Sequence, residues 1–206
     1  MMIKRIAEEA IERKGATQKI AEFVSLLRLL KRRKLRTIVE IGTAQGGTLY
    51  AWCKIATLDA LIISIDLPGG PFGGGYRLND VKKFRKYKWQ KQNLYFLRKD
   101  SHIQETKDRL VEILDGRKID FLFIDGDHRY RGVKKDFQLY SSLVKQNGLI
   151  AFHDILYHPK VPECKVDKFW SEIKSKYKYV EFTDKAADRG WGQWGGIGII
   201  YYVGPQ

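Results

Sequence analysis

The sequence predicts an α/β protein built on a doubly wound, seven-stranded sheet, with five parallel strands, a C-terminal antiparallel hairpin and helices on both faces. Three observations carry this. Five short, mainly apolar runs recur between segments of helical periodicity, as strands buried on both faces of a parallel sheet do. The last two β-rich runs are joined by DKAADRGWGQWGG, too short for a helical crossover and rich in turn formers, so they read as a hairpin. A chain of 206 residues with 44% hydrophobic content suits one well-buried domain.

Taken in order, residues 1–34 form an N-terminal helical cap. Ile20, Phe23, Val24, Leu27 and Leu30 recur at helical intervals, which predicts one or two amphipathic helices between Ile3 and Arg33. Their apolar face could serve the sheet or a second subunit, which leaves a homo-oligomer open. Residues 35–206 form the main domain. It alternates a strand at Thr37 to Ile41, a helix from Gly47, a strand at Leu61 to Ile65, a helix over Asp80 to Gln90 and a strand at Leu94 to Lys99. A helix over His102 to Leu114, a strand at Phe121 to Ile124, a helix over Gly132 to Leu143 and a strand at Leu149 to Phe152 complete the parallel series. A helix over Lys168 to Lys176 then precedes the β-rich runs Tyr179 to Thr183 and Gly196 to Val203.

Composition excludes some classes. The longest apolar runs, such as Ala60 to Ile63 and Gly148 to Phe152, fall far short of the ~18 residues of a membrane span. The start, MMIKRIAEEAIERKG, lacks the apolar core of a signal peptide, so the expectation is a cytoplasmic protein with no membrane association. Cys53 and Cys164 have neither knuckle nor redox spacing, which fits free thiols in a reducing compartment and suggests no catalytic role. The net charge of +14 comes from clusters at 31–36, 82–91, 129–135 and 174–178. Such an excess concentrates anionic partners, although lysine-rich helix faces in water account for it equally well.

The chemistry gathers where strands end. The first strand runs into Glu40-Ile41-Gly42-Thr43-Ala44-Gln45-Gly46, whose glycines let backbone approach a ligand at a helix N-terminus. It is neither a Walker loop nor Gly-x-Gly-x-x-Gly. Asp66 ends the second strand about 20 residues further on, where a carboxylate can accept both hydroxyls of a ribose. Asp100 ends the third strand within reach of an adenine amine, and Ser101 and Gln104 have capping-box spacing. FLFIDGDHRYRG and NGLIAFHDI then place Asp125, Asp127 and His128 opposite His153 and Asp154, enough for a metal and a base. Turn punctuation is the competing reading. Asp127 is either a further ligand or the group that orients His128. PGGPFGGGY, from Pro68 to Tyr76, reads as a lid or a surface loop, and Trp191 and Trp194 as an acceptor platform or a cover over the sheet end.

Together Glu40-x-Gly42-x-x-x-Gly46, Asp66, Asp100-Ser101 and the terminal hairpin resemble a class I S-adenosylmethionine (SAM)-dependent methyltransferase over residues 35–203. Within that superfamily, FIDGDHRYRGVKKDFQLYSSLVKQNGLIAFHDI resembles the group that includes macrocin O-methyltransferase and cephalosporin hydroxylase-like proteins. The resemblance implies a Rossmann-like sheet, with Glu40, Gly42, Thr43 and Gly46 at the methionyl end of the cofactor, Asp66 at the ribose and Asp100 with Ser101 at the adenine. It implies a divalent metal, magnesium or manganese, at Asp125 and Asp154 with His153 as a further candidate ligand, and His128 as general base working with Asp125. His153 departs from the oxygen donor related enzymes place there, and an imidazole suits manganese, iron or zinc better than magnesium.

The implied reaction is metal-assisted O-methylation of a small-molecule hydroxyl on a sugar or natural product. RNA methylation is the second reading, motivated by the basic surface, but no Asn/Asp-Pro-Pro-aromatic motif or Pro-Cys nucleophile is present, and His153-Asp154 replaces the lysine of the Lys-Asp-Lys-Glu type. A non-catalytic cofactor-binding module is the third.

Overall fold

The computed structural model describes residues 1–186 and 190–204. Residues Ala187 to Arg189 of the expected hairpin connection lie outside the described residues. The chain begins with α1 (Met2–Glu8), a π-helical turn (Glu9–Arg13) and α2 (Ile20–Lys31). Then come β1 (Thr37–Ile41), α3 (Gly47–Ile55), β2 (Leu61–Ile65), α4 (Asp80–Phe84), β3 (Asn93–Leu97), α5 (Gln104–Leu114), β4 (Ile119–Ile124), α6 (Tyr130–Tyr140) and β5 (Val144–His153). The chain closes with α7 (Val166–Ile173), β6 (Lys178–Phe182) and β7 (Ile197–Tyr202). Among the described residues no helix is long and apolar enough to cross a membrane.

The sheet order is β3-β2-β1-β4-β5-β7-β6. The first five strands run parallel, and β7 lies antiparallel between β5 and β6. The order reverses at β1, which pairs with both β2 and β4, so a crevice opens at the carboxyl ends of those strands. Alternation along β4 shows why both faces are covered. Phe121 and Phe123 enter one apolar layer with Phe23, Leu27 and Leu30 of α2 and Leu49 and Trp52 of α3. Leu122 and Ile124 enter the other, with Leu110 of α5, Val133 and Tyr140 of α6 and Phe169 and Trp170 of α7. The apolar face of α2 is thus spent on the sheet, and only Ile20 of that set remains exposed.

Two local expectations are corrected. The helix foreseen over Asp80 to Gln90 stops at Phe84, because Lys88 donates to the carbonyls of Gln90 and Gln92 and the Gln92 amide reaches Cys53 and Thr57. Those bonds pull the chain out of helical register while Tyr87 turns inward against Tyr50. The Ser101–Gln104 capping box does not form: Ile103 precedes α5 without a side-chain cap, and Gln104 bonds Asp108 instead.

Beneath the turn after β1, fully buried Glu40 accepts hydrogen bonds from Trp52 Nε1 at 2.6 Å and Thr43 Oγ1 at 2.7 Å. Burial pushes its carboxyl up to about 7 against the pull of these donors. The next residue but one, Gly42, has φ +87°, and a Cβ there would stand 2.0 Å from the Asp125 carbonyl oxygen. The turns after β1 and β4 therefore touch backbone to backbone.

Two outcomes follow from this packing. Gly42→Ala should lower stability by more than about 1 kcal/mol in urea unfolding, since alanine meets both the left-handed backbone and the Asp125 carbonyl; an unchanged midpoint would contradict the close approach. For Glu40, a folded pKa above the unfolded one means its stability contribution is present below pH ~4.5 and lost as pH rises through ~7, about 3 kcal/mol in all. Unfolding curves across that window should show the wild type declining relative to Glu40→Gln, and parallel profiles would refute it.

Candidate active site

The carboxyl ends of β1 to β5 open into one cavity of about 650 Å³. One half is built from the ends of β1, β2 and β3. Gly42, Thr43, Ala44, Asp66, Asp100, Ser101 and His102 line it. Asp66 Oδ2 accepts the backbone N–H groups of Thr43 at 2.8 Å and Ala44 at 2.6 Å, which folds the glycine turn over the end of β2. This leaves Oδ1 as the oxygen not tied to that turn, and a Cβ at Gly75 would come within 2.9 Å of it. Burial raises the Asp66 carboxyl despite these donors. Asp100 Oδ1 accepts the His102 N–H at 2.8 Å, and the Ser101 carbonyl accepts the Tyr140 hydroxyl at 2.6 Å.

The other half stands on the ends of β4 and β5. His128 Nδ1 lies 2.9 Å from Asp154 Oδ2, and its Nε2 lies 3.5 Å from Asp125 Oδ1. Buried His153 places Nδ1 3.2 Å from Asp125 Oδ1 and 3.4 Å from Asp154 Oδ2. Gln18, from the segment between the N-terminal helices, donates to Asp125 Oδ2 at 3.2 Å. Gly195, before β7, donates its N–H to Asp154 Oδ1 at 3.1 Å. Asp154 itself has φ +60°, a conformation aspartate tolerates and most side chains do not, so the aim of its carboxylate is held by backbone strain as well as by bonds.

The two imidazoles and the carboxylates they face carry opposing charges. Burial opposes charge on His128 and His153, yet Asp154 and Asp125 hold both well above the usual imidazole range. Burial likewise opposes charge on Asp154, and His153 and His128 outweigh it, keeping that carboxyl well below its usual range. The cluster is electrically compensated from within.

Most residues singled out from the sequence meet in this cavity, but not all in the expected way. Glu40 and Gly46 do not line it: Glu40 lies beneath the turn, and Gly46 lies against the Phe84 ring. Asp127 neither joins the cluster nor orients His128. Its two oxygens accept bonds from the Arg129 guanidinium at 2.6 to 3.2 Å, and Asp154 does the orienting. Phe72, from the glycine-rich segment, stacks on His128 with centroids 4.8 Å apart and planes 2° from parallel. Trp191 and Trp194 line the same space, their rings 5.2 Å apart.

The sequence reading missed Gln18, His102, His158 and Cys164, all of which line the cavity. Gln18 was hidden in a segment legible only as amphipathic helix. His102 is held above the usual imidazole range chiefly by buried Asp136, 3.4 Å from its Nε2, a residue on another element. No linear spacing signals either contact.

Residues 39–155 match the family described as a methyltransferase domain, more than half of the chain. An uncharacterised protein of Acanthamoeba polyphaga mimivirus, R132, is 33% identical over 151 residues, 71% of this chain. The chain spans 65% of that relative's length. Among solved structures, the O-methyltransferase TomG of Streptomyces achromogenes, in complex with SAM, superposes with a TM-score of 0.61 at 12% identity, covering 99% of this chain and 91% of TomG. An O-methyltransferase from Bacillus cereus in complex with SAH gives 0.62 at 14% identity, covering 96% of this chain and 90% of the other. At these identities the structural matches establish the fold, and the seven-stranded sheet with its inserted β7 is that of the SAM-dependent methyltransferases. On its sequence match, the chain belongs to the methyltransferase-domain family.

Proposed function

We propose that the chain is a SAM-dependent O-methyltransferase that acts, with a divalent cation, on a hydroxyl of a small ring-bearing molecule such as a sugar or a natural product. The observation that carries this is the Asp154–His128 pair, standing beside Asp125 in the same cavity as Asp66 and the turn after β1.

The cofactor supplies an activated methyl on a sulfonium, so the chain's task is to hold two molecules in line and remove one proton. The nucleoside half suits the cofactor: Asp66 Oδ1 is left for ribose hydroxyls, Asp100 and Ser101 line the adenine end, and Gly42 permits close backbone approach. In the reactive half, a hydrogen bond from Nδ1–H to Asp154 fixes the orientation of the His128 ring, and with a cation in the cluster to compensate the carboxylates His128 would be neutral, leaving Nε2 to accept the acceptor's proton. His128 is thus the base, and Asp154 its positioning residue. Phe72 on the face of His128, with Trp191 and His158 nearby, offers apolar walls suited to a ring.

The donor set also fits a cation. Asp125, His153 and Asp154 offer ligand atoms all within 4.8 Å of one another, and Gln18 Oε1, beside Asp125, is buried without a hydrogen-bond partner among the described residues. Bound by Asp125, Asp154 and His153, a divalent ion would supply positive charge that lowers the pKa of an acceptor hydroxyl. Mixed nitrogen and oxygen donors favour manganese over magnesium.

With a panel of hydroxylated acceptors and labelled cofactor, transfer should require added Mn²⁺ or Mg²⁺ and vanish with excess EDTA; full activity in EDTA would remove the cation from the account. His128→Ala should cut the rate by a factor of about 10² or more while cofactor affinity by calorimetry stays nearly unchanged. Asp66→Ala should do the reverse, weakening cofactor binding first. An unaltered rate in His128→Ala would refute the base, and methylation of structured RNA in place of small acceptors would refute the substrate class.

A further inference from the structure

Cys164 has no part in the reaction proposed above, yet the chain holds it against the reacting imidazole. After β5 the backbone turns back on itself: Val161 N–H donates to the His158 carbonyl at 3.2 Å and Cys164 N–H to the Val161 carbonyl at 2.9 Å. The next amide, Lys165 N–H, donates to the His128 carbonyl at 2.8 Å. That bond ties the segment carrying Cys164 directly to the residue carrying the base. The thiol is free, and the residue is 2% exposed on the cavity wall.

A nitrogen of His128, a carboxylate oxygen of Asp154 and Cys164 Sγ all lie within 4.8 Å of one another. Metal–ligand bonds of about 2.0 to 2.3 Å can bridge such separations with small side-chain rotations. The three donors come from the turn after β4, the end of β5 and the returning loop, so no local motif accounts for their convergence. A second trio, Asp125, His153 and Asp154, shares Asp154 with the first. The two differ in softness: one is carboxylate and imidazole, the other adds a thiol, the donor that selects zinc-class ions over magnesium and manganese.

We propose that His128, Asp154 and Cys164 form a binding site for a thiophilic divalent cation of the zinc class, with three protein donors and an open fourth position toward the cavity. On binding, the Cys164 thiol proton and the His128 Nδ1 proton both leave to solvent, and the ion takes the place of the latter beside Asp154 Oδ2. The remaining imidazole proton then sits on Nε2, which can no longer accept one. Zinc is therefore an inhibitor of the transferase, a consequence that rests on the function proposed above; the binding itself does not.

The test is cobalt substitution in metal-stripped, reduced protein. Equimolar Co²⁺ should produce a near-ultraviolet thiolate-to-cobalt charge-transfer band that Zn²⁺ removes and excess Mg²⁺ does not. The band should persist in Cys53→Ser and Asp125→Asn and be lost in Cys164→Ser. The wild-type spectrum decides even where a variant fails to fold: saturating Co²⁺ with no charge-transfer band overturns the site, as does a band that survives in Cys164→Ser and disappears in Cys53→Ser. Once the band is saturated by cobalt and displaced by equimolar zinc, methyl transfer should be abolished; transfer that continues at full rate overturns the inhibitory role alone.

Discussion

Two carboxylates end neighbouring strands inside one cavity, and everything around them answers the charge they bring. Asp125 closes β4 and Asp154 follows β5, where the register of the parallel pair brings the strand ends side by side. Like charges this close, this buried, need positive partners or one of them must take up a proton. In the described residues the partners are His128 and His153, and each imidazole faces both carboxylates. A cation can replace that compensation, which is why the same four side chains can be read both as an ion-paired cluster and as a metal centre with its base.

The rest of the molecule holds this cluster from behind. Gly42 lets the turn after β1 rest on the Asp125 backbone, and Asp66 draws Thr43 and Ala44 over the end of β2. From the other side, α2 fastens the chain that leads into β7. Buried Glu22 accepts the N–H groups of Asp184 at 2.6 Å and Gly196 at 2.9 Å, while Lys19 donates to the carbonyls of Asp184 and Ala186 at 2.5 Å. Lys19 also lies over the Trp194 ring, which meets His153 edge to face. The N-terminal helices thus place Gln18 at Asp125 and brace the loop that caps Asp154, so they belong to the site as much as to the core.

Much of the scaffold was legible because strands buried on both faces leave an unmistakable apolar run, as at Leu61 to Ile65, and because the polar residues that line the cavity sit just past such runs. Asp66, Asp125, His128, His153 and Asp154 were found this way. What escaped depends on tertiary contact. The end of α4 is decided where Lys88 takes the carbonyls of Gln90 and Gln92 just beyond it and the Gln92 amide reaches Cys53 and Thr57 on another segment, which no helical periodicity encodes. Asp127 looked equivalent to its neighbours in IDGDH until Arg129, two residues on, captured both its oxygens. Cys164 showed no metal spacing in the chain because its partners arrive from two other strand ends.

On the function proposed above, Asp125 and Asp154, and not the third acid of the same motif, define one cation site within the cavity. Manganese binding followed by electron paramagnetic resonance, in the presence of S-adenosylhomocysteine, addresses it without any need for the acceptor. Wild-type protein and Asp127→Asn should bind Mn²⁺ alike, whereas Asp125→Asn and Asp154→Asn should each lose it. Binding that survives in Asp125→Asn, or that depends on Asp127 instead, would contradict the account.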